Sequence, residues 1–203
     1  MRITKIIIFS FVVLFFHSLV NDNALSQVSE QNQLEINLSY MVPNSEIVFK
    51  RSYGGIIGLN LKYLRRVTHT LLLGGLFEHS RFEIDDPDLI DSAPITRHTK
   101  MKIYSGGIIG GVEYPMNKTI NSIFQIGFGY SWVSLKNKPN NFSFTESGPL
   151  LRPLFTIQFL FSKMGLSLSV AYPIIFEHFA DNTSRDDSTI RWWDFSGGIV
   201  YSF

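Results

Sequence analysis

Between Ile120 and Trp132 the side chains alternate in character. Ile120, Phe124, Ile126, Phe128, Tyr130 and Trp132 fall on one side of a period of two. Asn121, Gln125, Gly127, Gly129 and Ser131 fall on the other. Successive side chains of an extended chain point to opposite faces, so this pattern predicts a β-strand with one apolar face. Seven further segments repeat it, at 34–40, 52–64, 70–83, 100–114, 151–161, 165–178 and 191–203. Eight is an even number. Most of the segments run to about 10–15 residues, where about 5–6 is usual in globular proteins.

The connections alternate too. Short ones fall near 65–69, 115–119 and 162–164; longer polar ones fall near 42–51, 84–98, 136–149 and 179–190. Long strands, an apolar face of large side chains and alternating turn lengths predict an all-β fold, an eight-stranded antiparallel up-and-down transmembrane β-barrel. A soluble sandwich or barrel would turn its large residues inward and solvate the other face. Here the other face is rich in glycine (Gly54, Gly58, Gly74, Gly107, Gly111, Gly127, Gly129, Gly165, Gly198), which suits a crowded narrow bore. With the N-terminus on the periplasmic side, the apolar parity sets Tyr63, Tyr114, Phe161, Tyr201 and Phe203 near one membrane interface. It sets Tyr40, Tyr53, Phe77, Tyr104, Trp132, Phe176 and Trp193 near the other. Rings with an apolar body and a polar tip favour both interfaces. Trp192 breaks the parity.

The N-terminus accounts for how such a chain reaches a membrane without a spanning helix. Arg2 and Lys5 precede an apolar run from Ile6 to Phe16, and Ala24 and Ser26 stand at signal-peptidase spacing. The run is shorter than the ~20 residues needed to span a bilayer. Residues 1–26 therefore read as a secretory signal and 27–203 as the barrel domain. The chain has no cysteine, so neither disulfides nor thiol chemistry enter. Of its 18 basic and 17 acidic residues, Arg2, Lys5 and Asp22 lie in the signal, which leaves a nearly neutral domain with no pull toward nucleic acid.

In pattern, the whole domain resembles the small eight-stranded outer-membrane β-barrels of Gram-negative bacteria, the OmpA/OmpX-type class. The most specific piece is the terminal segment. The assembly signal of that class is a polar residue, then Gly two places on, then aromatics three and five places after the Gly. Ser196, Gly198, Tyr201 and Phe203 occupy those places. The resemblance implies recognition by the barrel-assembly machinery, an outer-membrane location and outer-membrane lipid as the surroundings, with a monomer favoured.

Eight strands enclose a bore that side chains can fill. Its polar residues are expected to be Glu35 and Lys62 low down, and Glu78, Arg152, Glu177 and Asp194 toward the external end, with Arg152 and Glu177 on neighbouring strands. A charge in so narrow a space needs a partner, so ion pairs plugging the bore are expected. On the outward parity, Arg51, His79, Arg81, His98, Lys100, Lys102 and Lys136 should form one basic patch on consecutive strands, at the height of outer-leaflet phosphates. Lysine and arginine bind phosphate through charge-assisted hydrogen bonds, so lipopolysaccharide is the expected ligand.

Catalysis is not expected. Acyl transfer needs a histidine beside a serine on one face. His79 and Ser80 are adjacent and so point apart, and position 180, the same-face neighbour of His178, is an alanine. No metal-ligand spacing occurs, and no cofactor is called for. The function expected is that of a non-enzymatic barrel serving envelope structure or surface interaction. The alternatives are a lipid A-modifying enzyme and a narrow solute channel. Asp85, Asp86, Asp88 and Asp91 in one connection and Asp181, Asp186 and Asp187 in another would make the external mouth acidic.

Overall fold

The structure, a computed structural model, describes residues 32–44, 53–55, 57–84, 99–137, 141–176 and 189–203. Eight strands follow in order. β1 is Asn32–Pro43; β2 runs through Tyr53–Gly55 and Ile57–Arg66; β3 is Leu71–Ile84; β4 is Thr99–Pro115. β5 is Ile120–Asn137; β6 is Phe142–Phe161; β7 runs through Met164–Ala171 and Ile174–Phe176; β8 is Thr189–Ser202. Each is antiparallel to the next, and β8 pairs with β1, so the sheet closes.

The register fixes the shape. One circuit of paired residues passes through Leu34, Tyr63, Gly75, Ile108, Phe128, Leu151, Ile174 and Arg191, and returns to β1 at Asn44, whose N–H donates to the Arg191 carbonyl, ten residues beyond Leu34. That stagger requires strands tilted by about 35–45°. β2 carries one extra residue: Gly55 faces Phe82 and Leu59 faces His79, four steps on β2 against three on β3. Such a bulge bends the strand locally. In β7 the gap at Tyr172 and Pro173 keeps the register, because proline removes a ladder donor without shifting the chain.

Short turns sit at the end that holds Asn32 and Phe203. In two of them a side chain caps the turn: Thr68 Oγ1 accepts from the Leu71 N–H (3.1 Å), and Asn117 Oδ1 from the Ile120 N–H (2.8 Å). The strand ends that the longer connections join face the opposite, external side. One expectation fails here. The segment 136–149 is not a long loop, because β5 and β6 stay paired as far as Asn137 and Phe142. Only 138–141 remain for the turn, with Asn141 at a φ of 52°. Hydroxyl residues (Ser143, Thr145, Ser147) continue the alternation there in place of apolar ones, and that polarity reads as loop in the sequence.

The outer wall is apolar and exposed. Leu38, Ile57, Ile108, Phe128, Leu168 and Ile199 are each about half exposed or more, and Tyr63, Tyr114, Phe161, Tyr201, Phe203, Tyr40, Phe77, Tyr104, Trp132, Phe176 and Trp193 all face outward. The Tyr53 side chain lies outside the described residues. The bore holds the buried residues. Two apolar clusters share it with a polar network, and Trp192, the parity breaker, belongs to the upper one together with Met41, Phe82, Met101, Ile103, Val133, Leu150 and Ile175.

Candidate functional sites in the bore and on the outer wall

The bore is filled in layers. Near the periplasmic end Arg66 pairs with Glu113, which also accepts a hydrogen bond from Asn121 Nδ2 at 2.5 Å. One layer up, Lys62 Nζ lies 2.6 Å from Glu35 Oε1, and Asn37 Nδ2 donates to the same oxygen at 2.5 Å. Ser167 donates to Asn37 Oδ1 at 2.7 Å, which ties β7 to β1 across the space between them. At mid-height the Arg152 guanidinium bridges Glu78 and Asp194. Ser80 donates to Glu78 at 2.8 Å, and Asn60 to Asp194 at 3.3 Å. Apart from Arg66, which is partly exposed, these groups are almost fully buried. A buried ion pair persists only where each charge is met by a partner and its remaining hydrogen-bonding capacity is largely filled.

Arg152 therefore joins β3, β6 and β8 through the bore, where the sequence pointed to Glu177 on the neighbouring strand. Glu177 lies outside the described residues. Arg152, Glu78 and Asp194, expected toward the external end, lie on the external side of the Lys62–Glu35 layer with further buried residues beyond them. On the same strands the next inward-facing residues toward the exterior are Leu150 after Arg152 and Trp192 after Asp194; on β3, Phe82 follows Ser80. Phe82 and Trp192 meet edge-to-face at 5.8 Å. An apolar plug thus caps the ionic layer. The Arg66–Glu113 pair was not anticipated as a pair; its signal was the inward parity of Arg66 at the last position of β2.

The outer wall carries the other group of candidates. His79 stacks on Tyr104 with ring centroids 4.5 Å apart. Tyr104 is paired in register with Trp132, so this row lies in the external aromatic belt. One step further out, Arg81 pairs in register with Lys102, and the row continues to Ser134 and Thr145. One step further again, Glu83 pairs with Lys100, which faces Lys136 and then Ser143. Arg81 reaches Glu83 at 2.8 Å, and Lys100 reaches it at 3.6 Å. The structure thus gathers Arg81, Lys100, Lys102 and Lys136 above the belt. Arg51, His98 and the aspartates of the external connections lie outside the described residues. The register partners of His79 are Leu59 and Tyr104, so among the described residues no serine pairs with it across the strands. Among the described residues no cluster of three or more metal-ligating side chains occurs.

At the terminal strand, Ser196 faces the bore, while Tyr201 and Phe203 face outward and stack at 5.7 Å. Phe203 and Asn32 exchange backbone hydrogen bonds of 2.9 and 3.0 Å. At Gly198 a Cβ would collide with the Ile36 carbonyl oxygen and Asn37 Oδ1, so any larger residue there would force the β1–β8 seam to shift.

A closed eight-stranded barrel with an apolar, aromatic-belted wall and a polar filled bore is a transmembrane β-barrel of the bacterial outer membrane. Solved structures of that class are similar to it. Neisserial surface protein A (NspA) matches with a TM-score of 0.60 at 13% identity, over 85% of this chain and 97% of that one. Ail, the attachment invasion locus protein of Yersinia pestis, matches with a TM-score of 0.52 at 17% identity, over 86% and 100%. The outer membrane protein OprG from Pseudomonas aeruginosa matches with a TM-score of 0.50 at 10% identity, over 86% and 96%. At such identities the likeness is one of fold. No protein-family model and no curated protein matches the chain.

Proposed function

We propose that this protein is a non-enzymatic outer-membrane barrel that contributes to envelope structure and docks lipopolysaccharide on the outer wall of β3–β5. The observation that carries this reading is the position of Arg81, Lys100, Lys102 and Lys136 in the two rows directly above the Tyr104–Trp132 row. Four cations at headgroup height, with Glu83 the one acid among them in the described residues, call for anions, and outer-leaflet lipid phosphates are at hand. Replacing Arg81, Lys100 and Lys102 by serine and measuring the lipopolysaccharide that co-purifies tests it. Lipid falls on this reading, and unchanged lipid overturns it.

The filled bore argues against a solute channel, a reading that planar-bilayer conductance tests. The surroundings of His79 argue against lipid A modification, which mass analysis of lipid A with and without the protein tests. A surface-interaction role draws support from the names of two similar structures, a surface protein and an attachment invasion locus protein. In biogenesis, residues 1–26 act as the secretory signal. Ser196, Gly198, Tyr201 and Phe203 act as the signal read by the barrel-assembly machinery.

A further inference from the structure

The basic patch is not uniform. Glu83 Oε1 lies 2.8 Å from Arg81 and 3.6 Å from Lys100, so one carboxylate draws both cations toward itself. Lys102 and Lys136 have no acidic partner among the described residues, and both are exposed. They are diagonal neighbours on one face of β4 and β5, because Lys102 pairs with Ser134, two residues before Lys136. Diagonal positions on a sheet face lie about 7–8 Å apart, within reach of two long side chains converging on one group. Ser134 lies between them and pairs with the exposed Thr145, and Ser143 pairs with Lys136. The open half of the patch therefore offers two ammonium groups and a set of hydroxyl donors. The other half offers cations with a carboxylate already in place, which repels an incoming anion.

We infer that Glu83 divides the patch, and that a lipid phosphate monoester seats on Lys102, Ser134, Thr145 and Lys136 rather than on Arg81 and Lys100. This rests on the lipopolysaccharide docking proposed above. Glu83 is then a built-in competitor of the ligand. It keeps Arg81 and Lys100 from binding a second phosphate, and its removal frees both.

The test uses the full-length barrel purified in detergent, with lipid A bearing its phosphates and dephosphorylated lipid A as probes. Bound lipid is counted by mass spectrometry, and folding is confirmed for each variant by heat-modifiable migration. The paired variants K102S/K136S and R81S/K100S each remove two positive charges. Retention of phosphorylated lipid A drops at least about tenfold in K102S/K136S, the scale of a lost charged hydrogen bond. It changes less than about threefold in R81S/K100S, as for groups already paired at a surface. E83Q raises retention. Equal losses in the two paired variants, with E83Q neutral, leave docking intact and overturn the division. Retention unaffected by any variant, or equal for dephosphorylated lipid A, overturns docking and the division together. If K102S/K136S does not fold, E83Q decides: increased retention supports the division, and unchanged or reduced retention overturns it.

Discussion

The same residue types do different work on the two sides of the barrel wall. Inside, Arg152 is nearly inaccessible and locked between Glu78 and Asp194. Outside, Arg81 is 38% exposed and meets Glu83 in a pair that is 44% exposed on the acid side. Burial decides the difference. In the bore each charge has lost its water and depends on its partner, so the pairs hold strands in place. On the wall the charges remain solvated and exchangeable, so they are free to meet a ligand. The bore is where stability is concentrated, and the wall is where chemistry is on offer.

Substitutions break that contrast unequally. The largest loss is expected for Arg152→Ala, which leaves Glu78 and Asp194 buried without a counter-charge. About 3–5 kcal/mol is the usual cost of removing one partner of a buried pair. Urea unfolding, followed by the change in gel migration between boiled and unboiled samples, measures it. Combining Arg152→Met with Glu78→Gln and Asp194→Asn restores most of the loss, because neutral replacement of the whole cluster removes the stranded charges.

Lys62→Ala comes next, at about 2–3 kcal/mol. It costs less than the Arg152 change because it strands one carboxylate rather than two, and Asn37 still donates to Glu35, with Gln158 Nε2 at 3.5 Å from its other oxygen. The same unfolding assay ranks the two. Gly198→Ala follows at about 1–3 kcal/mol, the range for forcing extra volume into a packed site. It is expected to slow assembly as well, since the added methyl lies in the β1–β8 seam that closes the barrel; the folded fraction in a time course of membrane insertion reads this. Glu83→Gln is the smallest, within about 1 kcal/mol of the parent stability. Its effect belongs to lipid retention, and added salt weakens that retention by screening.

Much of this contrast was legible in the sequence, and the reason is the period of two. Alternation assigns each residue a face, so Glu35, Lys62, Glu78, Arg152 and Asp194 could be placed in the bore and Arg81, Lys100, Lys102 and Lys136 on the wall. Alternation does not give height. Partners across the bore depend on tilt and on the ten-residue stagger, which no single strand reveals. Arg152 was therefore assigned a neighbour on the next strand, while the closed barrel sets it between β3 and β8. The apolar plug was hidden for a related reason. Its members come one or two from each of seven strands, as with Ile103, Val133 and Leu150, and each reads as an isolated exception to a polar face until closure brings them together. The β5–β6 hairpin is hidden in the sequence because apolar contrast is what marks a strand there. Above the membrane that contrast fades, although the pairing continues from Trp132 to Asn137.

The contrast between wall and bore rests on one claim, that alternate residues of each strand face lipid. The absence of cysteine allows it to be read directly with single introduced thiols. Along β5, Phe124→Cys, Phe128→Cys and Trp132→Cys are labelled with a fluorophore, as are Ile123→Cys, Gln125→Cys and Ser131→Cys, and quenching by nitroxide-bearing lipids is measured in bilayers. Strong quenching at 124, 128 and 132, with weak quenching at 123, 125 and 131, is the predicted result. Equal quenching along the strand, or its inverse, would contradict a lipid-facing wall around a filled bore.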